Sequence, residues 1–586
     1  MKHAAPRSRN SKLIIFASAA VLAVVVGVGV WSLVSGEGDS PRLANAFDDS
    51  PGSTVSADPY AQYRTKDWIV EENKKQGTTD WHIPDDKAMW AKIEGFSDNP
   101  SINIGDPLAL HVSTRAGLWQ VSAYRIGNYN KAGGRLVWRS EPQRGVDQGG
   151  PVVQQPGETW TAPWKESLKI QTDANWPPGQ YLLRLESNDG GAAFVPLTIR
   201  DDKSNSDLIV QSAVATWQAY NGWGGASVYT GKRTRADIVS FDRPYTGNGS
   251  AEFLGREFEM IYFIEGLGLD VSYWTDIDLH ARGELAMNHR AIVIPGHDEY
   301  YTVQMRKNLE TARDAGVNIG FFGANNVYRR IRLSDGPLGA NRMLTNYRDA
   351  SRDPYKGKND AEVTTSFRES PAANPESSLT GSYYECNPVD ADWVVGDASL
   401  WMFEGSGFKN GDRVPHMVGN EYDRVTQGVP TPANISILAH SPVNCRGNNS
   451  YADTTWYTTD SGAGVFTAAT FQWEPTLITD CPNGIDTPNT SNRCRILKVT
   501  ENILRAFAAG PAGRAHPSVS NLSKFNMSAP RISDPGSTTS NSSGSTGSTA
   551  GSSSTTGPAT TSAPSTTRAP STTTTRPTTT TMGAPN

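Results

Sequence analysis

Several polar segments of this sequence carry side chains able to ligate a hard metal ion or to move protons. The first is a glycine-rich aromatic stretch, Thr216-Trp217-Gln218-Ala219-Tyr220-Asn221-Gly222-Trp223-Gly224-Gly225, which presents the phenol of Tyr220. The second, Pro295-Gly296-His297-Asp298-Glu299-Tyr300-Tyr301, brings an imidazole close to a carboxylate. The third, Gly323-Ala324-Asn325-Asn326-Val327-Tyr328, offers an amide, and Gly419-Asn420-Glu421-Tyr422-Asp423-Arg424 adds Glu421. Each has a structural alternative. Tyr220 can be a packed aromatic, Glu299 an acid in the first turn of a helix beginning near Thr302, and the Asn pair a turn. A thiol nucleophile at a strand-to-helix elbow is disfavoured, because Ile319-Gly320-Phe321-Phe322-Gly323-Ala324 has Phe at that place. A serine elbow of the G-x-S-x-G kind is not evident either. What remains is a His, Glu, Tyr and Asn set, suited to a hard metal or to acid–base chemistry.

The elements around these segments give them a common location. Asp207-Leu208-Ile209-Val210, Asp270-Val271-Ser272-Tyr273-Trp274, Ala291-Ile292-Val293-Ile294 and Ile319-Gly320-Phe321-Phe322 read as strands. Residues 252–266 and 302–316 show a helical rhythm, the second ending in Gly316. Strand alternating with helix argues for a parallel sheet with flanking helices, whose sites form outside the carboxyl ends of the strands. That rule points to the segments after Val214, Ile294 and Phe322. Upstream the pattern differs. Leu108 to Ser113, Gln120 to Arg125, Gln180 to Leu185 and Ala193 to Thr198 alternate with period two, separated by turns such as Gly105-Asp106-Pro107 and Pro177-Pro178-Gly179. Such short strands suggest a β-sandwich.

The ends of the chain speak to location. Lys2, Arg7, Arg9 and Lys12 precede a charge-free, largely apolar run over residues 13–34. As a helix this run is long enough to cross a bilayer core of about 30 Å, with the basic flank cytoplasmic. The reading is a single-pass membrane anchor with an extracytoplasmic body; the alternative is secretion after signal cleavage. From about residue 530 the sequence is rich in Ser, Thr, Gly and Pro, the composition of a disordered tail, either O-glycosylated and wall-spanning or simply solubilising. The four cysteines of an exported chain favour two disulfides, nearest neighbours pairing as Cys386–Cys445 and Cys481–Cys494. A zinc site is the alternative, but no C-x-x-C spacing is present. A net charge of −6 without a basic block in the body gives no footprint for nucleic acid.

From the sandwich to about Gly513 the chain resembles the large (beta) subunit of N,N-dimethylformamidase and its relatives. The resemblance is carried by Ile104-Gly105-Asp106-Pro107-Leu108-Ala109-Leu110-His111-Val112-Ser113, Thr216-Trp217-Gln218-Ala219-Tyr220-Asn221, Gly296-His297-Asp298-Glu299-Tyr300 and Gly323-Ala324-Asn325. Gly419 to Arg424, Gly464-Val465-Phe466 and Gln472-Trp473 complete it. It implies an α+β multidomain fold, a β-sandwich followed by an α/β parallel-sheet domain like that of class I glutamine amidotransferases, without the thiol. It also implies a mononuclear Fe(III) site held by two tyrosines and one glutamate. Carried onto this chain, the ligands are Glu299, Tyr220 and, as second tyrosine, Tyr181. His297, Asn325 and Glu421 are then the surrounding residues that orient substrate and move protons, with His297 and Glu421 both open as base or acid. Where many relatives carry an aromatic after the Tyr, this chain has Arg329, which alters the pocket's charge if it points inward.

The expected organisation is a basic segment and transmembrane anchor over residues 1–36, a stalk over 37–57, the sandwich over 58–203, the α/β domain over 204–529 and the tail over 530–586. The expected function is a cell-surface, iron-dependent hydrolase of C–N (amide) bonds. Its partners are a small-molecule amide or cell-envelope substrate and the membrane, with no nucleic acid. The alternative is an extracytoplasmic binding or wall-associated module that keeps the fold without catalysis.

Overall fold

The computed structural model describes residues 58–84, 92–155, 157–231, 234–481 and 491–528. The anchor, the stalk and the tail lie outside the described residues, and among those described no helix is long and apolar enough to cross a membrane. The protein is of mixed α+β type, and its described elements belong to the unit Pro59–Asn586.

The N-terminal part is two β-sheets face to face. Strands Ile93–Ser97, Pro107–Thr114 and Leu168–Gln171 form one; Ser101–Asn103, Ala192–Arg200, Gly179–Ser187, Leu118–Ile126 and Gly134–Arg139 run side by side in the other. Gly95 has no side chain because Leu185 of the opposite sheet presses within 2.7 Å of where a Cβ would stand. The period-two reading predicts one wet face for these strands. Ala192–Arg200 is instead buried along its whole length, because its outer side packs on strand Val271–Thr275 of the next layer. A buried ion pair ties the layers: Arg125 Nη2 meets Glu265 Oε1 at 2.6 Å with both side chains fully enclosed, and the Tyr129 and Tyr273 hydroxyls complete the network.

The second part is built on a seven-stranded sheet ordered Val271–Thr275, Leu208–Ser212, Ala291–Pro295, Asn318–Phe322, Gly464–Thr467, Asn448–Thr458, Ser436–Cys445. The first five strands are parallel, and Asn448–Thr458 pairs antiparallel both with Gly464–Thr467 and with the edge strand Ser436–Cys445. Leu208–Ser212, Ala291–Pro295 and Asn318–Phe322 are buried at every position, as apolar runs covered on both faces must be. The helix expected over 252–266 is two helices, Ala251–Arg256 and Phe258–Gly266, broken at Glu257. The break has a physical cause. The Glu257 carboxylate turns inward to accept hydrogen bonds from Ala213 N (3.1 Å) and Trp217 Nε1 (2.9 Å), groups at the start of helix Val214–Tyr220.

Between Phe322 and Ser436 the chain leaves the sheet. It forms a hairpin, Arg329–Gly336 with Gly339–Thr345, and then the long antiparallel pair Tyr383–Val394 and Arg413–Arg424. Two disulfides are present, Cys386–Cys445 and Cys481–Cys494. The first ties that long pair to the sheet edge strand Ser436–Cys445.

Candidate metal and acid–base site

The carboxyl ends of three parallel strands deliver the polar segments to one place. After Leu208–Ser212 the chain turns directly into helix Val214–Tyr220, so Tyr220 ends that helix. The following loop is pinned from below by Arg243, a fully buried guanidinium that donates to the carbonyls of Asn221 (2.9 Å), Trp223 (3.1 Å) and Ala226 (3.1 Å). Ser227 Oγ then accepts from Tyr229 N (3.1 Å) and Thr230 N (3.0 Å), closing a tight turn. The result sets Tyr229 parallel to Tyr220, ring centroids 4.5 Å apart and planes 11° off parallel.

After Ala291–Pro295, Gly296 adopts φ +62°, and a Cβ there would stand 2.6 Å from Arg256 O. Only glycine fits such a position. Beyond it Glu299 N donates to Thr216 Oγ1 (3.0 Å), and the Glu299 carbonyl accepts from Tyr328 N and Arg329 N. The helix-cap reading of Glu299 is replaced: Thr302 caps helix Val303–Asp314. The carboxylate, buried completely, points instead at the two phenols. Tyr220 Oη donates to Glu299 Oε2 at 2.8 Å, and Tyr229 Oη lies 2.9 Å from Oε1 and 3.1 Å from Oε2.

Three further residues border this cluster. His297 Nε2 is 3.4 Å from Glu299 Oε2 and 3.4 Å from Asn325 Nδ2. Asn325, with φ +54°, is held by its own N–H donating to Asp423 Oδ1 (2.8 Å). Its side chain donates to Glu421 Oε2 (2.8 Å), while Asn387 Nδ2 donates to Glu421 Oε1 (2.8 Å). The Asn325 Oδ1 atom is buried with no protein partner. Arg329 does point inward, its Nε 3.5 Å from Glu299 Oε1.

Burial dominates the electrostatics. It raises Glu299, against the pull of Arg329, the phenol hydrogen bonds and Arg348. Burial, and then the Glu299 charge, hold Tyr220 and Tyr229 above the ordinary phenol range. Glu421 is pushed up to about 7, by burial first and then by repulsion from Glu299. His297 is pushed down to about 3 by burial and by Arg256.

The structure thus brings Tyr220, His297, Glu299, Asn325 and Glu421 together, and does not bring Tyr181 to them. Tyr181 lies on strand Gly179–Ser187 in the sandwich core, stacked on Trp176, with its hydroxyl donating to Pro177 O at 2.8 Å. The second phenol on Glu299 is Tyr229. Its position in a non-periodic loop gave no signal beyond the aromatic, glycine-rich character of the stretch that begins at Tyr220.

Among the described residues, no group of three or more His, Cys, Asp and Glu side chains is arranged to hold a metal ion. A metal at this place would have to use the phenols. Two phenols and one carboxylate converging within hydrogen-bond distance are hard oxygen donors, the set a ferric ion favours. Tyr220, Tyr229, Tyr328, Arg329 and Arg348 are only partly buried.

A family model described as N,N-dimethylformamidase beta subunit-like, C-terminal, matches residues 120–486. That is more than half of the sequence, and the chain belongs to this family. Membership points to amidohydrolase-like chemistry. No curated protein matches the chain. Among solved structures, a Paenibacillus sp. cycloisomaltooligosaccharide glucanotransferase complexed with cycloisomaltoheptaose is similar over 52% of this chain and 61% of its own length, at 7% identity and a TM-score of 0.15. A likeness that slight carries no argument.

Proposed function

We propose that this protein is a cell-surface, iron-dependent hydrolase of amide C–N bonds, with Tyr220, Tyr229 and Glu299 holding a single ferric ion. The observation that carries the reading is the convergence of both phenol oxygens on one buried carboxylate. An assembly of that kind has little structural purpose. It buries a carboxylate at a cost of several kcal/mol, and among the described residues no guanidinium or ammonium group lies closer to it than Arg329 at 3.5 Å.

When bound, the ferric ion supplies Lewis acidity toward an amide carbonyl and toward water. The remaining steps belong to the chain. Glu421, ionising at about 7, takes the proton of the attacking water and returns it to the departing amine nitrogen. Asn325 and Asn387 fix its two oxygens for this. The unpartnered Asn325 Oδ1 is placed to accept from a substrate N–H, and His297 orients the Glu299 carboxylate. The apolar run over residues 13–34 supports a membrane-anchored, extracytoplasmic setting.

The test is turnover of a panel of small amides by the full-length chain with and without iron. Hydrolysis that requires iron and falls at least about a hundredfold in Glu421→Gln supports the reading. Equal turnover by iron-loaded and iron-free chain contradicts it.

A further inference from the structure

We infer that Arg329 and Arg348 form an anion-recognising wall of the site, so that the amide it accepts carries a carboxylate within a few bonds of the scissile C–N bond. This rests on the function proposed above.

Charge balance around the site singles out two cations. The basic residues around the site mouth are mostly satisfied. Arg352 and Arg235 share Asp237, at 2.6 and 3.5 Å. Arg368 is paired with Glu376, and Arg332 with Asp353 at 2.7 Å. Arg329 and Arg348 differ. Arg329 Nε is buried without a hydrogen-bond partner, and its only ion pair among the described residues is the long contact to Glu299. Arg348 lies with its guanidinium carbon 4.3 Å from the Tyr229 ring centroid and makes one long hydrogen bond, Nη1 to Val228 O at 3.4 Å. Among the described residues it has no carboxylate within ion-pair distance.

Glu299, which the two phenols already engage, is the acid that both cations act on, Arg329 from 3.5 Å and Arg348 from beyond ion-pair distance. Once Glu299 and two phenolates serve a trivalent cation, three negative charges are matched by three positive ones. The two guanidinium groups are then left without a counter-charge, in a partly desolvated wall. A carboxylate is the ligand that offsets this, through the paired N–H geometry that guanidinium presents. The stacking holds the groups in place: Arg329 lies 4.6 Å from the Tyr328 ring centroid, so little side-chain freedom is lost on binding. Because Arg329 Nε is only 3.5 Å from Glu299, the bound carboxylate sits close to the reacting bond. An N-acyl amino acid has that arrangement; a simple neutral amide does not.

Equilibrium binding of N-acetylglycine and of its neutral counterpart N-acetylglycinamide tests this, by calorimetry on the full-length chain in detergent, iron-loaded and iron-free. The expected result is that the iron-loaded chain binds the anionic probe at least about tenfold more tightly. That preference shrinks as salt is raised, and it is lost in Arg329→Gln/Arg348→Gln. Equal affinities in the wild-type chain, no binding of either probe, or a preference that survives the double substitution would overturn it. Iron content is measured on the same samples. A chain that takes no iron sinks the metal-dependent reading, whereas an iron-loaded chain indifferent to charge sinks only the carboxylate.

Discussion

Tyr229 Oη sits 2.9 Å from Glu299 Oε1, although one residue lies in a loop after helix Val214–Tyr220 and the other at the entry to helix Val303–Asp314. With the Tyr220 hydroxyl 2.8 Å from the other carboxylate oxygen, this contact defines the candidate metal site.

It follows that Tyr229→Phe should lower iron affinity by at least about one to two orders of magnitude, the scale for losing even a group that only supports a ligand, and should shift any tyrosinate charge-transfer band. Tyr181→Phe should leave band and iron content unchanged. It should cost only about 1 kcal/mol of stability, from leaving the Pro177 carbonyl without its donor. Titrating both variants with iron under identical conditions separates the two tyrosines.

Glu421 has its carboxyl pushed up to about 7. As the base, it must be ionised to act, so kcat/KM for an amide should rise with pH and level off above that value. A cation on Glu299 cancels part of the repulsion, so the limb should fall at or below pH 7. In Glu421→Gln the limb should vanish and the plateau drop by about 10²–10⁴. The pH profile of the two enzymes is the check.

Glu257 sets a stability prediction away from the site. Its carboxyl is pushed from the ordinary 4.5 to about 8, by burial first, with Asp298 adding repulsion. A group whose pKa is raised on folding stabilises fully below its unfolded value, and that contribution is lost as pH rises through the folded value. Stability should therefore decline between about pH 5 and pH 8, by on the order of 1.4 kcal/mol for each pH unit in that window. Glu257→Gln keeps an acceptor for Ala213 N and Trp217 Nε1, and should flatten the decline. Denaturant midpoints at the two pH values measure it.

The disulfide Cys386–Cys445 spans 59 residues and abuts Asn387, which holds Glu421. Replacing both cysteines by serine should cost about 4 kcal/mol on the loop-entropy account. Amide turnover should fall with it, since the strand carrying Asn387 loses its tether to the sheet edge. Thermal midpoints and turnover of this variant, compared with Cys481→Ser/Cys494→Ser, test the link.

Much of the frame was legible in the sequence. The parallel strands were readable because residues such as Ile292, Val293 and Ile294 are buried on both faces and form an unbroken apolar run. Glu299, His297 and Asn325 were readable because strand ends are where such sheets gather polar groups. The break at Glu257 was not, since the inward turn of one carboxylate leaves the apolar spacing of 252–266 intact. Nor was Tyr229, whose place depends on Arg243 and Ser227 folding an irregular loop. Tyr181 shows the opposite failure. A tyrosine that the resemblance put forward as a ligand proved to be a core residue, because period-two alternation directs its ring between the sandwich sheets.

Metal analysis and a visible spectrum of the full-length chain, purified in detergent without chelator, test the ferric site most directly. About one iron per chain and a tyrosinate-to-iron band are expected, both lost in Glu299→Gln. Folded protein that stays colourless and metal-free after iron is supplied, or iron content unchanged in Glu299→Gln, would contradict it.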